Sequence, residues 1–233
     1  MPLRGAFRYV AAIAAVAIGS AVFSISFRTL LTAAYRTLFN ASDVVTAVER
    51  LPWWLRLGVP CAGGLLAGLV PRVRVESRQN ISSVMEAVIL GNVRLSLRTT
   101  MHRVTASWMA IASGLSIGRE GPLIEFGGSL GAVIGRTVQL TLRQTRVLVA
   151  AGTAAGFAAY NTPFAAILFV IETIVGIVAL EAVLPIAAAT VVASMLTLLS
   201  FLVVAAAAAA CGARRPGRRC GRLRRAADCG QRL

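Results

Sequence analysis

The stretch Gly118-Arg119-Glu120-Gly121-Pro122 lies between uncharged, mostly apolar segments. Burying an ionised side chain in a bilayer costs about 2.5–3.5 kcal/mol on insertion scales, so an acid at Glu120 is a candidate functional residue. Pro122 suits the start of a helix, and Gly121 before it can adopt backbone angles that other residues avoid. The pentapeptide predicts a helix over residues 122–136 whose free amides and positive dipole end form an anion site.

A carboxylate at such a helix start can itself fill the anion site when no external anion is bound. Protonation of Glu120 would remove its charge and open the site to an incoming anion. A simpler alternative is that Arg119 and Glu120 are neighbours at a membrane surface with no anion to bind. The pentapeptide alone leaves both readings open.

Composition indicates that most of the chain is surrounded by lipid. Hydrophobic residues make up 57% of the sequence, mean hydropathy is +0.76 and charged residues are 14%, against about a quarter in soluble proteins. A membrane-spanning helix needs roughly 20 apolar residues. Three uncharged stretches reach about that length and predict outright crossings, namely Tyr9–Phe27, Val147–Ile171 and Ala182–Ala213.

Three shorter stretches predict partial or re-entrant helices. Each has 15 residues between flanking arginines or within the glycine-rich region: Leu57–Pro71, Val104–Gly118 and Gly121–Gly135. Broken helices leave backbone groups that lipid cannot satisfy, so these segments must face protein or a water-filled cavity, as they do at transport sites.

Glycines recur at every fourth position in three of these segments. This spacing lets helix backbones approach closely in lipid, so helix packing explains these glycines without a ligand. The residues are Gly64 and Gly68, then Gly127, Gly131 and Gly135, then Gly152 and Gly156.

The N-terminus has Arg4 and Arg8 before an apolar run, a pattern shared with signal peptides. The run is long for a signal peptide and no small-residue cleavage site follows, which favours a retained first helix with a cytoplasmic N-terminus. Arginines 72, 74 and 78 would lie on the same side by the positive-inside rule. The sequence therefore predicts a multi-pass integral membrane protein located in a bacterial-type inner membrane.

The C-terminal segment differs from the rest of the chain. All 24 basic residues are arginine, the net charge is +15, and eight arginines fall in the last twenty residues. We divide the chain into a membrane domain, residues 1–204, and an Ala/Arg-rich tail, residues 205–233, that is disordered or translated out of frame. A basic tail can bind anionic lipid, but without aromatic residues for stacking it does not predict nucleic-acid binding.

Cysteine spacing predicts no metal site and no cofactor. Three tail cysteines lie nine residues apart, whereas structural zinc sites place cysteine pairs two to four residues apart. The lone His102 is far from them in sequence. Cys61, in an apolar glycine-rich segment, is read as a small helix-packing residue.

The pentapeptide and its surroundings resemble the CLC family of chloride channels and chloride/proton exchangers. The chain has the family's GREGP motif letter for letter, preceded by Ser113-Gly114 and followed by a glycine-rich helix to Arg136. Residues 154–172 and 83–88 resemble two further family stretches, and the resemblance covers about residues 10–200.

This resemblance implies an all-α polytopic membrane protein, equivalent to the first inverted-repeat half of the CLC fold with short and re-entrant helices. It implies transport of chloride or a similar small anion, with Glu120 as the gating carboxylate and Gly118, Arg119 and Gly121 shaping its loop. Protons are further substrates in the exchangers, and family members are homodimers, so a homodimer is expected.

Two departures from the family concern its ion paths. Residues 78–82 read Arg-Gln-Asn-Ile-Ser where members commonly have Gly-Ser-Gly-Ile-Pro, so Gln79 replaces the serine that contacts the anion and Ile81 completes this candidate anion path. An amide can still donate a hydrogen bond to an anion. Glu172 and Thr173 align with two acids of the exchangers, and Thr173 does not titrate, which weakens proton coupling.

The predicted function is therefore chloride transport as a CLC-type voltage-gated channel or chloride/proton antiporter. The alternative is a truncated or frameshifted remnant with no transport of its own, because the resemblance ends near Phe201 and the family's second half completes the path. An enzyme is not predicted. An intramembrane serine protease would need a Gly-x-Ser-Gly turn, and Ser113-Gly114 lacks the first glycine.

Overall fold

A computed structural model describes residues 3–39, 52–72, 84, 88, 95–157, 162–175 and 180–214 of the chain. In these ranges every regular element is helical, which confirms the all-α prediction. The helices are α1 Leu3–Phe39, α2 Trp53–Arg72, α3 Leu97–Ala112, α4 Glu120–Thr137, α5 Leu142–Phe157, α6 Pro163–Val170 and α7 Leu180–Arg214, with a π-helical turn, Ile171–Val175, directly after α6.

Two helices, α1 and α7, contain segments long and apolar enough to cross a membrane: Gly5–Thr37 and Ala182–Val204. α1 continues past the uncharged stretch and includes Arg28, whose guanidinium lies 4.7 Å from the ring centroid of Phe201 on α7. α7 continues beyond the boundary drawn at residue 204 because alanine, which fills the following positions, is the strongest helix former. The nature of the tail past α7 stays a prediction.

The predicted crossing over Val147–Ile171 is wrong, because this stretch is divided between two helices. α5 ends at Phe157 and α6 begins at Pro163. Proline lacks a backbone N–H and disfavours helical angles at the residue before it, and Thr162 accordingly has φ −119° and ψ 68°. Uncharged length alone did not reveal this break.

The two short stretches before the pentapeptide also differ from their predicted limits. α2 has 20 residues and begins before Leu57, and α3 begins before Val104 and ends at Ala112. The stretches were bounded by arginines, but Arg56 and Arg103 lie inside the helices. Charges therefore marked where the apolar residues stop rather than where the helices stop.

α5 is the central helix of the bundle and packs against α1, α4 and α7. Its residues 148–156 are all buried, and most of them are alanine or glycine. Two serines of α1 donate hydrogen bonds to carbonyls of α5, Ser20 to Gly152 at 3.5 Å and Ser24 to Gly156 at 3.3 Å. Small side chains therefore allow three helices to surround α5 closely.

The glycines of α4 and α5 bring the two helix backbones into contact. A Cβ atom placed on Gly127 would lie 2.0 Å from the carbonyl oxygen of Gly152, and one on Gly131 would lie 2.5 Å from that of Leu148. The prediction that these glycines serve helix packing is confirmed. At Gly68 of α2, none of the described residues has an atom within 4 Å of an added Cβ, so no contact in the described part of the chain supports the prediction there.

Candidate anion site at the start of α4

The loop of residues 113–119 joins α3 to α4. α3 ends in a Schellman motif, in which the Leu115 N–H donates to the Ala110 carbonyl at 3.2 Å and the Gly114 N–H donates to the Ile111 carbonyl at 3.0 Å. Gly114 has φ 93°, an angle that favours glycine. The loop therefore leaves α3 in a defined direction before it reaches the pentapeptide.

The helix after this loop starts earlier than predicted. α4 runs over Glu120–Thr137 rather than 122–136, so Pro122 lies within the first turn instead of opening it. Proline is tolerated there because first-turn N–H groups have no intrahelical partner. The prediction of unusual angles at Gly121 is also wrong, since Gly121 lies inside α4 and, among the described residues, Gly114 is the glycine with positive φ.

The Glu120 side chain folds back over the start of its own helix. A Cβ atom placed on Gly118 would lie 2.1 Å from Glu120 Oε2, so the carboxylate occupies the space that any side chain at position 118 would need. Arg119 is the N-cap residue and makes no capping hydrogen bond with its side chain. The carboxylate thus lies beside an uncapped, positively polarised helix end, where an anion would also be stabilised.

Three polar contacts hold α3 and α4 together below this helix start. Arg103 Nη1 pairs with Glu125 Oε1 at 3.1 Å, with side chains 17% and 13% exposed. The buried hydroxyls of Thr100 and Ser129 lie 2.7 Å apart. Arg136 donates to the Leu95 carbonyl. These contacts fix the two helices antiparallel and in register. The α3–α4 hairpin therefore holds Glu120 in a defined position at the start of α4.

Sequence reasoning did not find the ion pair. The available signal was Glu125 itself, an acid inside a short apolar segment, which needs a partner when it is buried. The nearest preceding candidates in α3 were Arg98 and Arg103, and sequence spacing could not choose between them.

The first helix is tied to the base of the same loop. The Tyr35 hydroxyl of α1 donates to the Ile111 carbonyl at 2.6 Å. Around it lies a buried apolar cluster that includes Phe27, Leu31 and Leu123. The last turn of α3, the first turn of α4 and the second half of α1 therefore form one packed unit under the loop.

The two candidate proton-path residues lie in the π-helical turn after α6. Glu172 is exposed, and Thr173 is half-buried with its hydroxyl donating to the Phe169 carbonyl of the preceding turn. π-helical turns are rare and occur frequently at functional sites. Of the two, Glu172 is therefore the residue whose side chain is open to its surroundings.

Two candidate anion-path residues, Gln79 and Ile81, lie outside the described residues. Shortly after them, Val84 is fully buried, and its side chain contacts the position that a Cβ on Gly128 would occupy, with Cγ1 at 2.9 Å. Val84 thus meets α4 at its middle. The structure brings together Gly118, Arg119, Glu120 and Gly121, and it places Glu172 and Thr173 on a different element.

Comparison with known proteins adds a consistent set of similarities. The sequence model described as voltage gated chloride channel matches residues 62–212. A protein of Ralstonia nicotianae named as ClcB-like is 37% identical over 184 residues, which are 76% of this chain and 43% of the relative. The voltage-gated ClC-type chloride channel ClcB of Yersinia pseudotuberculosis is 31% identical, over 69% of this chain and 40% of the relative. The chain therefore spans less than half the length of these relatives.

A solved structure shares the fold. The X-ray structure of a slow cyanobacterial Cl⁻/H⁺ antiporter aligns with a TM-score of 0.63 at 18% sequence identity. The alignment covers 82% of this chain and 46% of the antiporter chain. At this identity the likeness shows the fold alone, and it agrees with the predicted half of such an architecture.

Proposed function

Because this chain belongs to the voltage gated chloride channel family, we propose that it supplies the first half of a CLC-type chloride path, with Glu120 as the gating carboxylate. The observation that carries this proposal is the position of the Glu120 carboxylate, folded over Gly118 at the uncapped start of α4. Gly118, Arg119 and Gly121 form the backbone around it. Gln79 and Ile81 are proposed as further anion-path residues of the same chloride path.

The proposed gate works by competition between two negative charges for one helix end. While Glu120 is ionised, its carboxylate is stabilised by the free amides and dipole of α4 and disfavours a second anion there. When Glu120 is protonated or turned away, chloride takes its place. A proton taken up at this step gives the link to antiport, and Glu172 is the proposed inner proton acceptor since Thr173 cannot titrate.

The chain is proposed to be a multi-pass protein of a bacterial-type inner membrane, with a cytoplasmic N-terminus and with homodimers as its assembly. The crossing segments of α1 and α7 support insertion. We propose transport and not enzymatic chemistry, because the chain belongs to a chloride channel family and its sequence lacks the Gly-x-Ser-Gly turn of an intramembrane serine protease at Ser113.

The sharpest test uses a chimera, because the relatives are more than twice as long as the matched segment. Residues 1–200 of this chain replace the matching part of the Ralstonia nicotianae relative, and chloride efflux from liposomes is recorded together with proton movement. We expect efflux with the native segment, and altered efflux that no longer depends on pH in Glu120→Gln. Glu172→Gln is the matched control for acid removal, with efflux retained and proton movement reduced.

Unchanged chloride efflux and unchanged pH dependence in Glu120→Gln would reject Glu120 as the gate. A second candidate function, a chain without transport of its own, is favoured by the partial coverage of the relatives. It predicts that the unmodified chain alone gives no efflux in liposomes while the chimera does. Efflux from the chain alone would exclude it.

A further inference from the structure

We propose that one end of the helix bundle binds the phosphate-bearing headgroups of anionic phospholipids. This end, here the arginine end, is formed by the start of α1, the start of α3, the end of α4 and the start of α5. It carries Arg8, Arg98, Arg136, Arg143 and Arg146. The proposal needs the bundle to be inserted in a membrane and does not depend on Glu120 or on chloride transport.

Hydrogen bonds show that these helix ends lie at one level. Arg8 of α1 donates to the carbonyl of Val138, the residue directly after α4. Arg136 at the end of α4 donates to the carbonyl of Leu95, just before α3. Arg146 in the second turn of α5 donates to the carbonyl of Val88. Arginines that are far apart in sequence are thus gathered on one surface.

The arginine end concentrates positive charge. The sequence contains no aspartate or glutamate in residues 1–42, 87–119 or 126–171, which include all five arginines. The acceptors described above are backbone carbonyls, which bring no net negative charge. The acids of α4, Glu120 and Glu125, lie in its first two turns, and the distance along the helix from Glu125 to Arg136 is about 16 Å.

Exposed apolar side chains accompany these charges. Phe7 and Val10 flank Arg8 on α1 and are 76% and 63% exposed, and Leu142 precedes Arg143 on α5 and is 57% exposed. Arg8, Arg98, Arg136 and Arg143 are themselves exposed. A free phosphate ion could use the arginines only, whereas a phospholipid offers a phosphate for the guanidinium groups and acyl chains for the apolar side chains. The combination favours an anionic phospholipid.

The test measures lipid preference of the full-length chain in liposomes of phosphatidylcholine. Spin-labelled phosphatidylglycerol and spin-labelled phosphatidylcholine are compared by electron paramagnetic resonance. We expect phosphatidylglycerol to be enriched at the protein by about fivefold per engaged arginine at low salt, and less at high salt. Excess inorganic phosphate at constant ionic strength should not displace it.

The variant Arg98→Gln/Arg143→Gln removes two exposed charges from the arginine end and should lower the preference by about 25-fold, which is fivefold for each arginine. Arg56→Gln is the control, because Arg56 is an exposed arginine at the start of α2, and α2 approaches the far end of α3 at Gly63 and Ser113. Equal association of both lipids, equal losses in the two variants, or displacement by phosphate would each overturn the proposal.

Discussion

The two faces of α4 are held to their neighbours by different means. Toward α5, glycines at positions 127 and 131 allow backbone-to-backbone contact, and no side chain intervenes. Toward α3, Glu125 and Ser129 make polar contacts with side chains. Residues two apart on a helix point in nearly opposite directions, so the two sets lie on opposite faces.

This difference teaches how a helix can be positioned in lipid, where apolar burial provides little drive for helices to associate. The glycine face sets the distance between α4 and α5, because any added atom meets backbone. The polar face sets the axial register between α3 and α4, because its partners must meet at particular levels. The start of α4, with Glu120, is placed by both constraints.

The largest effect is expected on the polar face. Glu125→Leu removes one partner of a mostly buried ion pair, so the Arg103 guanidinium loses the carboxylate it contacts, which should lower the free energy of unfolding by about 3 kcal/mol. Reversible unfolding in detergent micelles measures this loss. The double variant Arg103→Leu/Glu125→Leu should recover most of it, because both charges of the pair are removed together. Equal losses in the single and double variants would show that the pair does not hold this face.

A smaller loss is expected on the glycine face. Gly127→Ala places a methyl group against the backbone of α5, which cannot rotate away, and should cost about 1–3 kcal/mol of unfolding free energy. Gly68→Ala is the matched control, since none of the residues that the structure describes lies within 4 Å of its added methyl group. The control should be neutral or stabilising by up to about 1 kcal/mol, because alanine favours helix over glycine. Similar losses at both positions would point to a general effect of removing glycine.

The smallest effect on stability is expected at the start of α4. Gly118→Ala meets the end of the flexible Glu120 side chain, which can move, so the unfolding free energy should change by less than about 0.5 kcal/mol. In this variant, however, the Glu120 carboxylate must leave its position over residue 118, so chloride efflux from the chimera should change markedly. Ser116→Ala, an exposed substitution in the same loop, is the control for both measurements. A large stability loss with unchanged efflux would contradict this separation of roles.

The start of α4 and its contact with α5 could be predicted from the sequence. The side-chain contacts between α3 and α4 could not. The pentapeptide indicated a helix start with an acid beside it, and the glycine spacing indicated the α4–α5 contact. Periodicity and charge gave no information on which arginine meets Glu125, because that choice depends on the register of two helices. The sequence placed the glycine with special backbone angles at Gly121, whereas among the described residues the glycine with positive φ is Gly114, because either glycine could in principle supply it.

Breaks in helices were also difficult to place. The uncharged run that spans α5 and α6 looked continuous, although Pro163 interrupts it, because hydropathy does not register a missing N–H group. Conversely, Arg28 looked like the limit of a crossing segment but lies within α1, where its contact with Phe201 accommodates it. In the first case the backbone chemistry of proline decided where the helix is interrupted. In the second case a contact with a distant residue allowed an arginine to lie inside a helix.

The length of α1 has a mechanical consequence. Its 37 residues extend over about 55 Å, well beyond the roughly 30 Å of a bilayer's hydrocarbon core. Near one end Arg8 is fastened to the residue after α4, and near the other Tyr35 is fastened to the last turn of α3. α1 is therefore attached to the α3–α4 hairpin near both of its ends. If α1 tilts to suit a thicker or thinner bilayer, the α3–α4 hairpin must turn with it.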